Sequence, residues 1–396
     1  MSHSTTVKDP RILLFSAGAM AGCINVTLPA SATVFLDPKI FNFSNSMYGG
    51  LFVFFLSTAV LASWFFRLLA ARFTAGRVLQ LGMMFYALGA LLFAGGLVVA
   101  DQRMLAYAIT CLSVLLLGFG FGGTLSALNE LIVAHSSRRP EISLTYLHAV
   151  VTGGAALAPA IVGFCIDKQC WAFAPIGEGI IMLILLFPAE KLFTAVTPSA
   201  PSEKIANERF VNGHSRAEIF FLLLAGLYGL CESAVANWST VILQSQYAMV
   251  ESHATVVMSL FWGSVATFRF LFARFTIEKH VRLFWFLSPI VMLVALVVIG
   301  ISKNAILVVS AVTLGGCAMS YYFPLTLAIA GSALPKSRNR LSGTTVATLL
   351  SGAGISAISI GLISDLHIAE MSTIVGGFGL FAFAMIVIQA RMDRIS

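Results

Sequence analysis

Twelve apolar runs, most of them at or beyond the ~20 residues a helix needs to cross a hydrocarbon core, leave this 396-residue chain few folds to choose from. They cover 11–34, 47–71, 77–100, 104–133, 142–166 and 171–193, then 218–244, 253–276, 281–301, 304–334, 340–364 and 369–391. A soluble domain carries about 25% charged residues; here the share is 10%, with 58% hydrophobic. A membrane β-barrel would instead show short segments of alternating polarity. The pattern therefore predicts an all-α membrane protein of twelve transmembrane helices. The longest break, 194–217, is rich in Pro, Ser and charge and divides the helices six and six. That predicts one bundle over 1–193, a linker over 194–217 and a second bundle over 218–396.

Basic residues set the orientation, because cytoplasmic loops retain Lys and Arg. With the N-terminus inside, 20 of the 24 basic residues fall on one side, and only Lys39, Arg103, Lys168 and Lys303 fall on the other. Both termini and the linker are thus expected in the cytoplasm, and the chain in the inner (cytoplasmic) membrane as a multi-pass monomer. The net charge of +7 does not point to nucleic acid, since the cations sit at helix ends rather than in a stripe interleaved with exposed aromatics. The opening "MSHSTTVKDPR" lacks a small-residue cleavage site, so no removable leader is expected. Six scattered cysteines show no metal-ligand spacing. Most read as small core residues, while Cys165 and Cys170 flank one loop and can pair in an oxidising compartment.

Two phrases tie the halves together. "RLLAARFT" (67–74) and "RFLFARFT" (269–276) agree at six of eight positions, 202 residues apart. "GGAALAPAIVGFCID" (153–167) and "SGAGISAISIGLISD" (351–365) share Gly, Ala, Gly and Asp at an offset of 198. Each pair falls at matching points of the two halves. Parallel repeats of this kind describe a secondary transporter with its site between the halves.

At this level the chain resembles the major facilitator superfamily. Its loop after span 2, "LLAARFTAGR", retains Arg72 and Arg77 of the family's signature but places Ala71 where an Asp usually latches the cytoplasmic mouth. "GFGFGGTLSALNEL", "LHAVVTGGAALAP", "YGLCESAVANW" and "SLFWGSVATFRFL" are similar to spans 4, 5, 7 and 8 of the fucose permease-like sugar:proton symporters. That resemblance implies a proton-driven sugar permease. Two departures leave the familiar proton sites neutral, and sugar specificity is not carried over: Asn25 and Leu125 occupy positions where those symporters often carry acids, four residues before Pro29 and Asn129.

A charge inside a span is expensive and marks function by default. Glu232, mid-span in helix 7 near Asn237 and Trp238, is the leading candidate for proton coupling, since a desolvated carboxylate can take up a proton near neutral pH. The competing reading is a carboxyl that only fixes packing. His148 is a candidate relay, or a packed hydrogen-bonding histidine. Glu130, beside Asn129, reads equally as solvated, and Glu178 as facing an interface or the outer mouth. Arg67, Arg72, Arg269 and Arg274 read as gating residues at helix ends, with substrate contact the lesser alternative for Arg269. Trp238, Trp262, Tyr321, Tyr322 and Tyr146 can stack on a solute, and Pro324 is expected to kink span 10 beside the tyrosine pair. Gly118, Gly120, Gly122 and Gly123 are suited to close helix approach.

No nucleophile motif, metal cluster or ATP-binding loop appears, so no cofactor and no enzymatic activity are expected. The partners expected are a small solute, protons and the bilayer. Two functions fit: a proton-driven transporter of a small polar organic solute, a sugar for example, or an exporter of a drug-like or siderophore-like compound.

Overall fold

The computed structural model describes residues 10–68, 74–136, 140–193, 215–275 and 280–393, and among them there is helix but no strand. The first half holds α1 (Pro10–Ala30), α2 (Asn45–Leu68), α3 (Ala75–Gly95), α4 (Arg103–Ala134), α5 (Pro140–Asp167) and α6 (Phe173–Phe193). The second holds α7 (Arg216–Tyr247), α8 (Glu251–Phe275), α9 (Val281–Ile301), α10 (Ala305–Ala333), α11 (Arg338–Asp365) and α12 (Gly379–Asp393). Eleven of these spans are long and apolar enough to cross a membrane, and α6 adds the apolar stretch Phe173–Ala189. Helices are the expected solution in lipid, where every backbone N–H and C=O must find its partner within the chain.

Two details escape the apolar pattern. α1 breaks at Ser31, just after Pro29, and resumes as a short helix, Ala32–Leu36. The twelfth span is interrupted at Phe378, with Met371–Gly377 preceding α12. Caps fix several entries. Ser215 and Glu218 close a capping box at the start of α7, satisfying donors that helix geometry leaves orphaned. Asn304 Oδ1 accepts from the N–H of Ile306 at 2.8 Å at the start of α10. Pro324 lies within α10, which continues unbroken to Ala333.

Within the first half α1 packs on α5, α3 on α4 and α6, and α2 on α4; the second half repeats this with α7 on α11, α9 on α10 and α12, and α8 on α10. The duplication extends to single contacts. A Cβ on Gly22 would overlap the carbonyl of Val151, and one on Gly154 that of Ala19. The matching residues behave alike: Gly229 lies against the carbonyl of Leu349, and Gly352 against that of Gly226. Glycine pairs of this kind let helix backbones touch where lipid offers no hydrophobic drive to associate.

The halves meet through α2 with α11, α5 with α8, and the end of α1 with α7. These seams concentrate at the mouth opposite the termini. Gly361 of α11 rests on the carbonyl of Asn45, and Gly163 of α5 on that of Ser252. One seam carries a charge as well. The Asp365 carboxylate accepts from the N–H groups of Asn45 at 3.0 Å and Ser46 at 2.9 Å, capping α2 across the interface. Its repeat counterpart does not: Asp167 pairs with its neighbour Lys168 at 3.2 Å, and the helix end facing it, α8, starts with Glu251.

A carboxylate on a helix N-terminus contributes about 0.3–1 kcal/mol at an exposed site and up to ~2 where partly buried. Asp365→Asn should therefore raise the population open at this mouth about fivefold, since 1.4 kcal/mol is tenfold. Spin labels at Gln102 and Ile368, one in each half, measure that population. An unchanged distance distribution rules out the latch.

Candidate functional site

The polar groups at the middle of the molecule come from four helices. Glu232 lies on α7, one turn after Tyr228, so both share a face. Tyr228 Oη lies 2.7 Å from Glu232 Oε1 and 3.1 Å from the carbonyl of Met319 on α10. Arg269, on α8, donates from Nε to the carbonyl of Ser320 at 2.9 Å. From Nη1 it donates across the interface to Thr152 Oγ1 on α5, at 3.3 Å. Thr152 can accept because its own hydrogen is committed to the carbonyl of His148 at 2.7 Å. Glu232, Arg269 and His148 are each half-buried.

The Tyr228 contacts carry chemical information. A phenol has one hydrogen, yet two acceptors lie within reach of it. A protonated Glu232 resolves the conflict by donating to Tyr228, which then donates to Met319. A carboxylate at Glu232 leaves one of the two contacts without a hydrogen. A proton on Glu232 would thus satisfy both contacts at once.

Arg269 does not snorkel to an interface. Among the described residues no carboxylate lies within ion-pair distance of it, and two of its nitrogens are bound to oxygen atoms from different halves. Locking, the role read for it from its place in the repeat, describes these two bonds. It leaves the remaining donors of the guanidinium without partners among the described residues. Seven residues earlier, two turns up the same face of α8, Trp262 Nε1 is buried and has no hydrogen-bond partner.

Other residues singled out from the sequence lie elsewhere. Asn237 donates to Ser233 at 2.9 Å, while its carbonyl accepts from Tyr48 at 3.1 Å. Trp238 is fully buried edge-on against Tyr48, with ring centroids 5.2 Å apart. Both lie where α7 meets α2 at Tyr48. Tyr322 is also fully buried. It stacks between Tyr228 and Trp285 and accepts from Gln389 at 3.3 Å, so it is core packing rather than a surface for a solute. Tyr321 stacks on Phe272 at 4.9 Å, which also corrects the stacking role expected of it. Tyr146 is exposed.

Asn25 is half-buried on α1, and Asn129 is half-buried with an unpartnered Oδ1. Glu130 is exposed near the end of α4. Arg274 is exposed and lies over the Phe275 ring. Arg72, the Arg67 side chain and the linker over 194–214 lie outside the described residues. All six cysteines are free thiols, Cys165 and Cys170 included.

Glu178 needs a correction. It faces neither an interface nor the mouth, but is 7% exposed inside the first bundle, where Thr27 donates to its Oε1 at 2.6 Å. Its Oε2 has no partner. Three site residues were missed from the sequence. Tyr228 carried a signal, the i, i+4 spacing to Glu232. Thr152 and Ser320 carried none: the first is a single hydroxyl in an apolar helix, and the second acts through its backbone carbonyl. A separate groove of about 730 Å³ runs between α7 and α11. Its walls are Leu, Ile and Gly with Thr348 and Ser351, and no charged residue lines it.

Known proteins place the fold. No curated protein sequence matches this one. Among solved structures, a mutant of the nucleoside transporter NupG aligns with a TM-score of 0.74 at 15% identity, covering 96% of this chain and 99% of its own. A D-xylose-proton symporter gives 0.73 at 14%, covering 95% and 96%. The transporter FucP in its outward conformation gives 0.62 at 14%, covering 96% and 98%. The family model of the Major Facilitator Superfamily matches residues 12–358. With helix order, repeat and sequence profile in agreement, the chain belongs to the major facilitator superfamily, a family of membrane transporters rather than enzymes.

Proposed function

We propose that this protein is a proton-coupled permease that moves a small polar organic solute by alternating access, with Glu232 as the proton carrier. The observation that carries the reading is the shortage of hydrogens at Tyr228, whose two acceptors are both satisfied only when Glu232 is protonated. Glu232 is half-buried beside Arg269 and the seam between the halves, so solute and proton can share one compartment. The xylose-proton symporter and NupG are named for polar solutes of this size, and their shared fold supports the same use here.

The halves over 1–193 and 218–396 act as separate bodies joined by the 194–217 linker. The side holding 20 of 24 basic residues is cytoplasmic, in keeping with the retention of Lys and Arg. The seams and the Asp365 cap then close the outer mouth, and the conformation faces inward. The protein works in the inner membrane as a monomer, and import is the favoured direction because the lower pH outside loads Glu232 from that side.

A ligand that binds the folded state raises apparent stability, so a thermal-shift screen of sugars, nucleosides, amino acids and organic acids identifies the solute. In proteoliposomes an inward proton gradient should then drive its accumulation. Glu232→Gln should lose at least about tenfold of that accumulation, on the scale of a lost charged hydrogen bond, yet retain solute exchange without a gradient. A variant that still accumulates solute against its gradient removes Glu232 from coupling. Gradient-driven movement outward only would identify an exporter. Cysteines placed in 194–217 should react with impermeant maleimide only after the membrane is opened.

A further inference from the structure

We infer that the solute carries a carboxylate, that Arg269 holds it, and that it crosses with one proton on Glu232 as an electrically neutral pair. This deepens the permease reading above and rests on it.

Arg269 carries a charge that makes no ion pair among the described residues. A guanidinium stays protonated in any protein environment, and a charge within the membrane normally finds a counter-ion. Among the described residues Arg269 has none within ion-pair distance. Glu232, the acid at the site, is held by Tyr228 instead. Arg269 has five N–H donors; Nε and Nη1 each make one bond, to Ser320 and Thr152, and the rest have no partner among the described residues on a half-buried side chain. The unused Trp262 Nε1 lies about 10 Å along the same helix face, from seven residues at 1.5 Å each, and indole nitrogen donates only. A site with spare donors of this kind suits a ligand rich in acceptors. The planar guanidinium fork matches a carboxylate in particular, through two parallel N–H···O bonds. A phosphate dianion brings two charges, and one cation balances one.

The proton enters through charge balance. With Glu232 ionised, Arg269 and Glu232 cancel and an arriving carboxylate meets its like charge. With Glu232 protonated, the site carries +1 and the carboxylate completes it. Each ligand therefore strengthens the other, as linkage requires. The other titratable groups facing this pair are Tyr228 and Cys231 on α7, His148 on α5, and Tyr322 on α10, stacked on Tyr228 at 5.6 Å. Uncharged, none of them disturbs the balance.

The test uses the full-length protein in detergent and in proteoliposomes. Lactate, benzoate and gluconate are each compared with their amides, and with glucose, uridine and methyl phosphate, by thermal shift. At least one carboxylate should bind about tenfold or more tighter than its amide, as expected for a charge-assisted pair. Arg269→Gln should abolish that preference. Should that variant fail to fold, Arg269→Lys should weaken the preference at least about threefold by losing the fork. Glu232→Gln should still bind the carboxylate but lose the dependence of affinity on pH. Uptake should respond to the pH gradient and not to a potassium-valinomycin potential. The inference is overturned if no carboxylate stabilises the protein, if amides, sugars, uridine or methyl phosphate bind as well, or if Arg269→Gln keeps the preference. Uptake that follows the potential overturns the neutral pair. Accumulation unaffected by Glu232→Gln refutes the coupling reading and with it the proton on Glu232, while carboxylate binding is scored separately at Arg269.

Discussion

A polar group inside a bilayer has no water to fall back on, and that constraint organises this molecule at every scale. It makes the backbone helical from α1 to α12. It brings helices together through glycines rather than through hydrophobic collapse, so Gly22 lies on Val151 and Gly229 on Leu349. It also makes each buried hydroxyl choose its acceptor. Thr152 gives its hydrogen to His148 and is thereby free to accept from Arg269. A transporter needs groups that escape this rule in part, because a site whose donors are all satisfied has nothing left for a solute. Arg269 and Trp262 are such groups.

Two carboxyls within the spans share one local geometry and differ in access. Thr27 has one hydrogen and two acceptors, the carbonyl of Cys23 at 3.1 Å and Glu178 Oε1 at 2.6 Å, as Tyr228 has Met319 and Glu232. A protonated acid satisfies either set. Glu178, though, is enclosed within the first bundle at 7% exposure, on contacts that travel with it as the bundle moves. Glu232 adjoins Arg269, whose bond to Thr152 crosses between the halves. A proton on Glu232 is therefore sensitive to the relation of the halves, and one on Glu178 is not. Local hydrogen-bond chemistry alone would not separate them.

How much of this was legible in the sequence depends on the length scale of the signal. Spans, the six-plus-six division and the repeat were readable because apolar runs and basic ends are statements about many residues at once. Glu232 stood out as a candidate because an acid in an apolar run has few explanations. The aromatics were not. Tyr321 and Tyr322 look alike as solute platforms, and only packing against Phe272 and Trp285 reveals both as core. Arg269 was legible only in depth: five residues before Arg274, it stands deeper than a simple snorkelling position, but its partners Ser320 and Thr152 were not readable. The direction of a long side chain is set by its neighbours on other helices, which sequence spacing on one helix does not record.

The two mouths are held by different means. The family's usual latch places an Asp in the loop after span 2, where this chain has Ala71. A carboxylate on a helix N-terminus is present instead at the opposite mouth, from Asp365 to α2, and among the described residues in only one of the two repeat-related seams. Closure there gains a charged contact while closure at the terminus-bearing mouth has lost one, so the equilibrium leans toward the conformation described here. A lean of this kind taxes solute arriving at the closed mouth, since apparent affinity falls in proportion to the competent fraction. A counter-ion supplied by the solute offsets the tax, because it balances the guanidinium whenever Glu232 carries the proton. On that view the unpaired Arg269 and the one-sided Asp365 latch belong together: the first gives binding its drive, and the second holds the empty carrier from opening without it.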